Sequence, residues 1–206
     1  LQKAQKFSPD FVVYTGDFVS YASPAQFGQM EDVMQHAVMG KIATWGVLGN
    51  HDYGKAWRMP EVAQKITEIC QSVGIHILRN EEVVAEGLHC IGIDDYWGTN
   101  YAPQKAMTSL QHDKATIALC HNPDVADEPI WSGYQGWILA GHTHGGQVKP
   151  PFLPPPMLPV RNKRYSAGKI ELEDGRTLYI NRALGHLWQV RFNVRPEITI
   201  FTFQKA

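Results

Sequence analysis

Apolar and polar positions along this chain fall into two periods. Phe11–Thr15 is an apolar run bounded by Ser8-Pro9-Asp10 before it and Gly16-Asp17 after it, which predicts a buried strand. Ser23–Gly40 carries Phe27, Met30, Val33, Met34, Ala37 and Val38 at near-helical spacing. Ser23 before Pro24 reads there as an N-cap followed by proline at the first helical position. Trp45–Leu48 predicts a second strand. Pro60–Val73 predicts a second helix, with Val62, Ala63, Ile66 and Ile69 on one face and Gly74 as its stop. Short strands follow at Ile75–Leu78, Glu81–Ala85 and Leu88–Ile93, then a helix over Ala102–Gln111. Buried strands come next at Thr116–Cys120 and Gly136–Ala140. Tyr165–Glu173 and Thr177–Asn181 flank Asp174-Gly175 as a hairpin, and Ile198–Phe203 predicts a last strand.

Strands alternating with helices predict an α/β fold with ligand groups gathered where parallel strands end. The 206 residues suit a single domain over the whole chain, 1–206. One segment breaks the pattern: Lys149-Pro150-Pro151-Phe152-Leu153-Pro154-Pro155-Pro156-Met157-Leu158-Pro159. So many prolines forbid helix and central strand. Strands resume after it, so we read a stiff loop beside the site rather than an interdomain linker.

Composition narrows the class. Hydrophobic residues make up 44% and charged residues 19%, which is a folded chain rather than a disordered one. A net charge of −1 provides no global basic field, so no nucleic-acid partner is expected and an anionic substrate must be held locally. Cys70, Cys90 and Cys120 lack CxxC spacing and are odd in number, which reads as reduced core thiols and a reducing, cytoplasmic setting. No apolar run is long enough to span a bilayer. Leu1-Gln2-Lys3-Ala4-Gln5-Lys6 reads like the interior of an amphipathic helix, so natural sequence is expected upstream, where an anchor would give membrane contact.

The chemistry sits at the strand ends. Gly16-Asp17, Gly49-Asn50-His51-Asp52, Cys120-His121 and Gly141-His142-Thr143-His144 each follow an apolar run. Asp17 is a hard carboxylate that can bridge two cations, Asn50 offers a neutral carbonyl oxygen, and His121, His142 and His144 offer imidazole nitrogens. Such oxygen-and-nitrogen sets suit zinc, manganese or iron, and no thiolate competes. Each motif alone has a plainer reading as a turn or helix start. Gly-His-Thr-His-Gly-Gly resists it, because flanking glycines permit close approach and two exposed histidines have little packing value. Two cations about 3.5–4 Å apart would clamp a phosphoryl group and lower the pKa of a bridging water.

These residues resemble the calcineurin-like metallophosphoesterases, whose motifs read Asp-x-His, Gly-Asp, Gly-Asn-His-Asp or -Glu, a lone His, and Gly-His-x-His. Four of the five stand here in order, and the resemblance runs from about Asp10 to the C-terminus. Gly141–Gln147, Tyr165–Gly168 and Arg191–Ile198 are similar to the bacterial branch that often carries an N-terminal membrane anchor. The resemblance implies a four-layer αββα sandwich of two mixed sheets flanked by helices. It also implies phosphoester hydrolysis by a metal-activated hydroxide at a dinuclear centre of Mn, Zn, Fe or Mg. Asp17 would bridge the ions, Asn50, His121 and His142 would complete one site, and His144 would bind at the other. His51 would serve the leaving oxygen, with Asp52 orienting it. Asp-x-His has no counterpart and would lie on a first strand upstream of Leu1. The fold is therefore expected to lack that strand, and the second ion to be weak or absent.

Other polar residues are read more simply. Arg161, Lys163 and Arg164 follow the proline loop and would grip a phosphate or head group, or else form a solvated turn. Arg182 is placed in the crevice or outside it with equal warrant. Asp94-Asp95 ends a strand and either approaches the site or, the preferred reading, forms a simple turn; His186 reads as packing, and His36, His76, His89 and His112 receive no role. Two rivals remain: a pyrophosphohydrolase of a nucleotide-linked lipid such as UDP-2,3-diacylglucosamine, and a metal-poor binding module. The substrate is accordingly a small or lipid-linked phosphoester, and the oligomeric state is left open.

Overall fold

The computed structural model describes residues 2–204 except Ser109, His112 and Leu187. His112, which received no role, therefore lies outside the described residues, as do Leu1 and the Ser109 and Leu187 positions of the expected 102–111 and 184–188 segments.

Among the described residues, helices α1 (Gln2–Gln5), α2 (Ala25–Met34), α3 (Pro60–Ser72) and α4 (Pro103–Met107) accompany nine strands. These are β1 (Phe11–Tyr14), β2 (Ala43–Gly46), β3 (His76–Ile77), β4 (Glu81–Ala85), β5 (Leu88–Gly92), β6 (Thr116–Leu119), β7 (Trp137–Ala140), β8 (Gly168–Glu171) and β9 (Thr177–Ile180). The first sheet has the order β1-β2-β3, all parallel. The second has the order β4-β5-β6-β7-β9-β8, parallel in the middle with antiparallel pairs at both edges.

Three buried clusters make the four layers. Trp45, Val47 and Leu78 from the first sheet meet Cys90, Ile117, Leu119 and Leu139 from the second, so this cluster is the seam between sheets. Ile66, Ile69 and Cys70 of α3 cover the outer face of the first sheet together with Met30 and Met34 of α2. Trp131, Tyr134, Val125 and Ala106 cover the outer face of the second. The αββα sandwich is therefore the observed architecture. Each fully buried aliphatic side chain in these clusters contributes about 1.5–3 kcal/mol relative to exposure. The three cysteines are buried and free. Among the described residues no helix is long and apolar enough to cross a membrane.

Several elements are shorter than the pattern predicts. The helix expected over 23–40 ends at Met34. Beyond it, the Tyr14 hydroxyl donates to the Val38 carbonyl at 3.0 Å and accepts from the Val38 amide at 2.9 Å, pulling this apolar stretch off the helix axis. Pro24, not Ser23, takes the N-cap position, and Gln26 Oε1 accepts from the Ser23 amide at 2.9 Å. The helix expected over 102–111 contracts to Pro103–Met107. Residues 198–203 form no strand. There Thr199 and Phe201 turn inward, Phe201 packing edge-on against Trp137 and Tyr179, while Ile198, Ile200 and Phe203 stay exposed. His186, expected to pack, is exposed. His89 is buried, its Nδ1 2.6 Å from Glu82 Oε1.

Candidate metal centre

Strands β1, β2, β6 and β7 all run toward one edge of the sandwich. Chain order thus delivers Asp17, Asn50, His121 and His142 to a common crevice between the two sheets. Backbone geometry there is unusual. Asp17, His142 and His144 hold left-handed φ angles of 56°, 68° and 50°. Non-glycine residues in this region cost about 1–3 kcal/mol each and persist where surrounding structure enforces them, commonly at functional sites. Close approach is equally demanding. A Cβ on Gly49 would lie 2.3 Å from Asp17 Oδ1 and 2.7 Å from His121 Cε1, so only glycine lets the second motif meet the first.

Asp17, His121 and His142 form the cluster able to hold an ion among the described residues, with one ligand atom of each within 4.8 Å of the others. Asp17 Oδ2 is 3.2 Å from His121 Nε2, and His142 Nδ1 is 3.1 Å from the same nitrogen. Outer contacts fix the rings. His121 Nδ1–H donates to the Thr15 carbonyl at 2.6 Å, which leaves Nε2 facing the crevice. His142 Nε2–H donates to the Pro159 carbonyl at 2.7 Å, which leaves Nδ1 facing it. Imidazoles anchored through their second nitrogen are the usual support of a metal site. Against burial, which opposes it, the Asp17 carboxylate holds His121 up at about 9. Burial, reinforced by the neighbouring His121, pushes His142 down to about 3. Burial also lowers His144. Against its own burial, the charge of His121 holds Asp17 well below the usual carboxylate range.

Two further atoms test whether these residues fit metal ions. Asn50 Oδ1 and His144 Nδ1 are buried and have no hydrogen-bond partner. A buried polar atom left unsatisfied costs about 1–3 kcal/mol, and such orphans call for an explanation. A carbonyl oxygen and an imidazole nitrogen beside a carboxylate and two anchored histidines are the donor set that a divalent transition ion takes. The residues fit.

Around this set the roles differ from the expectation in places. His51 is half-buried, and its backbone amide donates to Asp17 Oδ1 at 3.0 Å. Asp52 does not orient the His51 ring. Its Oδ2 accepts from the Asp17 amide at 2.9 Å and the Gly49 amide at 2.8 Å, and its Oδ1 accepts from the Val19 amide at 3.2 Å. Asp52 is thus the clasp that holds the first two motifs together. Burial and the neighbouring Asp17 carboxylate push it up to about 8, against the amides that favour its charged form.

The three arginines suggested for substrate differ in placement, and the Arg182 stem lies beside Gly145 on the turn that carries His142 and His144. Arg161 pairs with Glu128 at 3.0 Å and lies 5.0 Å over the Tyr96 ring. Arg182 pairs with Glu197, and Arg164 is exposed.

Asp94 and Asp95 are not the simple turn that the pattern suggests. Both are buried. Asp94 accepts from Tyr53 Oη at 2.7 Å, Arg79 Nε at 2.9 Å and Asn100 Nδ2 at 2.7 Å, which ties the segment after His51 to both sheets. Asp95 Oδ2 accepts from the Trp97 amide at 2.8 Å, and its Oδ1 is a third buried orphan. Burial pushes Asp95 up to about 6. The loop so held presents Trp97, edge-on to His142 at 4.7 Å and stacked on Trp57 at 4.8 Å. A carboxylate pair at the end of an apolar run was the signal available in the sequence.

Comparison with known proteins agrees with this geometry. Residues 1–146 match the calcineurin-like phosphoesterase family. The chain is 32% identical over 201 residues to phosphodiesterase YaeI of Escherichia coli (strain K12), covering 93% of this chain and 69% of that protein. It is 26% identical over 251 residues to the UDP-2,3-diacylglucosamine pyrophosphatase LpxG of Chlamydia muridarum, covering 97% and 75%. It is also 29% identical over 209 residues to the uncharacterized metallophosphoesterase YkuE of Bacillus subtilis, covering 96% and 69%.

Proposed function

The chain belongs to the calcineurin-like phosphoesterase family and is a hydrolase of phosphoester bonds; from that premise we propose that it cleaves phosphodiesters at a dinuclear divalent-metal centre. The observation that carries this reading is the Asp17–His121–His142 cluster, supported by the buried, unpartnered atoms Asn50 Oδ1 and His144 Nδ1 on the turns that carry the same motifs. Asp17, Asn50, His121, His142 and His144 would hold the ions. When bound, divalent ions supply positive charge for the phosphoryl oxygens and lower the pKa of a water molecule.

The protein's own residues do the rest. Asp52 fixes the backbone of both Asp17 and Gly49, so the Asp17 carboxylate keeps its place as charge builds up nearby. Thr15 and Pro159 hold the His121 and His142 rings in the tautomers that face the crevice. His51 is tied through its backbone to the same carboxylate, and its ring is the available proton donor for the departing oxygen. Burial of His121 and His142 strengthens the charge interactions they make.

A second reading is cleavage of a pyrophosphate bond in a lipid-linked nucleotide. Similarity to the pyrophosphatase LpxG favours it, as do the exposed Phe152 and Leu153 on the loop whose Pro159 carbonyl anchors His142. A binding module without metal has no account of the orphaned donors. The test is hydrolysis of bis(p-nitrophenyl) phosphate before and after chelation, followed by reloading with manganese or zinc. Activity lost on chelation and regained on reloading is expected; turnover indifferent to chelation rejects the reading.

A further inference from the structure

We propose that the proline loop and the segment after Arg182 together form a docking surface for an anionic lipid bilayer, seated beside the metal centre. Phe152, Leu153 and Met157 on the loop and Trp188, Val190 and Phe192 on the segment are all exposed. Phe152 projects entirely into solvent from a left-handed φ of 64°, a strained conformation for a bulky residue.

Short contacts place the two pieces side by side. The Phe192 amide donates to the Gln147 carbonyl at 2.9 Å, and the Lys149 amide donates to the Phe192 carbonyl at 3.0 Å. Gln147 Nε2 also donates to the Trp188 and Val190 carbonyls, each at 2.9 Å. The loop folds back onto the Gly-His-Thr-His-Gly-Gly turn, since a Cβ on Gly146 would meet Pro155 Cβ at 2.4 Å. The apolar rings therefore stand at the rim of the site, on irregular backbone outside the sheets.

Charge selects the occupant. The chain has 19 basic and 20 acidic residues, yet Pro129–Ile170 and Gly175–Pro196 contain no Asp or Glu. Those stretches hold nine of the basic residues. Four of them, Arg161, Lys169, Arg176 and Arg182, pair with acids outside. Lys149, Arg164 and Arg195 are exposed and make no salt bridge among the described residues. Neutrality of the whole chain conceals this asymmetry. Exposed aromatic and aliphatic side chains on acid-free segments, with Lys149 joined to Phe192, are what an interfacial surface offers to anionic headgroups and the acyl boundary beneath them. A protein partner would call for a continuous patch with satisfied polar rims, whereas isolated projecting rings on two loops suit a fluid lipid surface.

The surface is tested by co-sedimentation with vesicles of phosphatidylglycerol mixed with phosphatidylcholine, and with vesicles of phosphatidylcholine alone. Binding to the anionic vesicles is expected, weakening with salt because the cations contribute. Combining Met157→Ser, Trp188→Ser and Val190→Ser should reduce it about tenfold or more, while hydrolysis of a soluble aryl phosphodiester stays unchanged. Lys149→Glu with Arg195→Glu should remove the preference for anionic vesicles. Wild-type protein that stays in solution with both vesicle types overturns the proposal, as does undiminished binding by the triple variant. Self-association relieved by the triple variant, with no vesicle binding, would show a contact between chains and also overturn it. These readouts are independent of catalysis, so failure of the hydrolase reading leaves them intact.

Discussion

The Asp52 carboxylate accepts a hydrogen bond from the Asp17 backbone amide at 2.9 Å, joining residues 35 positions apart at the centre of the site. Through the Gly49 and Val19 amides the same carboxylate closes the turn that carries Asn50 and His51. Asp52→Ala would leave three amide donors without their acceptor. The expected cost is about 3 kcal/mol or more, read as a lower urea midpoint with unchanged slope. A shift below about 1 kcal/mol would remove Asp52 from this clasp role.

Under the proposed mechanism His51 serves catalysis and not metal binding. Replacing it with Ala should lower turnover of an aryl phosphodiester by about 10²–10⁴-fold, the range of a positioned proton donor. Metal content should stay at the wild-type level, because the main-chain amide that reaches Asp17 Oδ1 is retained. Loss of metal in His51→Ala, with retention in His142→Ala, would reverse the two roles.

Gly49 and Gly28 make opposite predictions for one substitution. A Cβ at Gly49 meets Asp17 Oδ1 and His121, whereas one at Gly28 on α2 meets open space. Gly49→Ala should abolish tight metal binding. Gly28→Ala should leave it untouched and stabilise the helix by about 0.5–1 kcal/mol. Calorimetric metal titration beside thermal unfolding checks both, and equal metal affinity in the two variants would contradict the close-approach argument.

Trp97 supports His142 from outside the ligand set, edge-on at 4.7 Å. Trp97→Ala should weaken metal affinity by about 10–100-fold, as loss of an outer contact commonly does, and Trp97→Phe should restore most of it. Competition against a fluorescent chelator measures this. An unchanged affinity in Trp97→Ala would assign the ring to substrate contact alone.

How much of this was readable beforehand follows from the range of the interactions. An apolar run ending in a metal-competent side chain is a local pattern, so Asp17, Asn50, His121, His142 and His144 could be put forward as candidates without coordinates. The end of α2 was not readable, because the Tyr14 hydroxyl that captures Val38 lies 24 residues away. Asp94 reads as a turn until Tyr53, 41 residues distant, and Arg79 are seen to satisfy it. Arg182 pointed equally to crevice or solvent, and only the fold brings Glu197 to it. Residues 198–203 alternate as a strand does, yet find no ladder to join. Asp52 was identified as a site residue, but its partners were misassigned. A carboxylate beside a histidine suggests a pair, while three converging amides are a property of the folded backbone.

The most direct measurement is elemental analysis of the purified chain after exhaustive dialysis, for wild type, Asp17→Ala and His142→Ala. The cluster geometry and the orphaned Asn50 and His144 atoms predict at least one stoichiometric divalent transition ion in wild type. Both variants should lose it, together with phosphodiesterase activity. A wild-type protein that hydrolyses phosphodiesters with no stoichiometric metal, or variants that keep their full complement, would contradict the account.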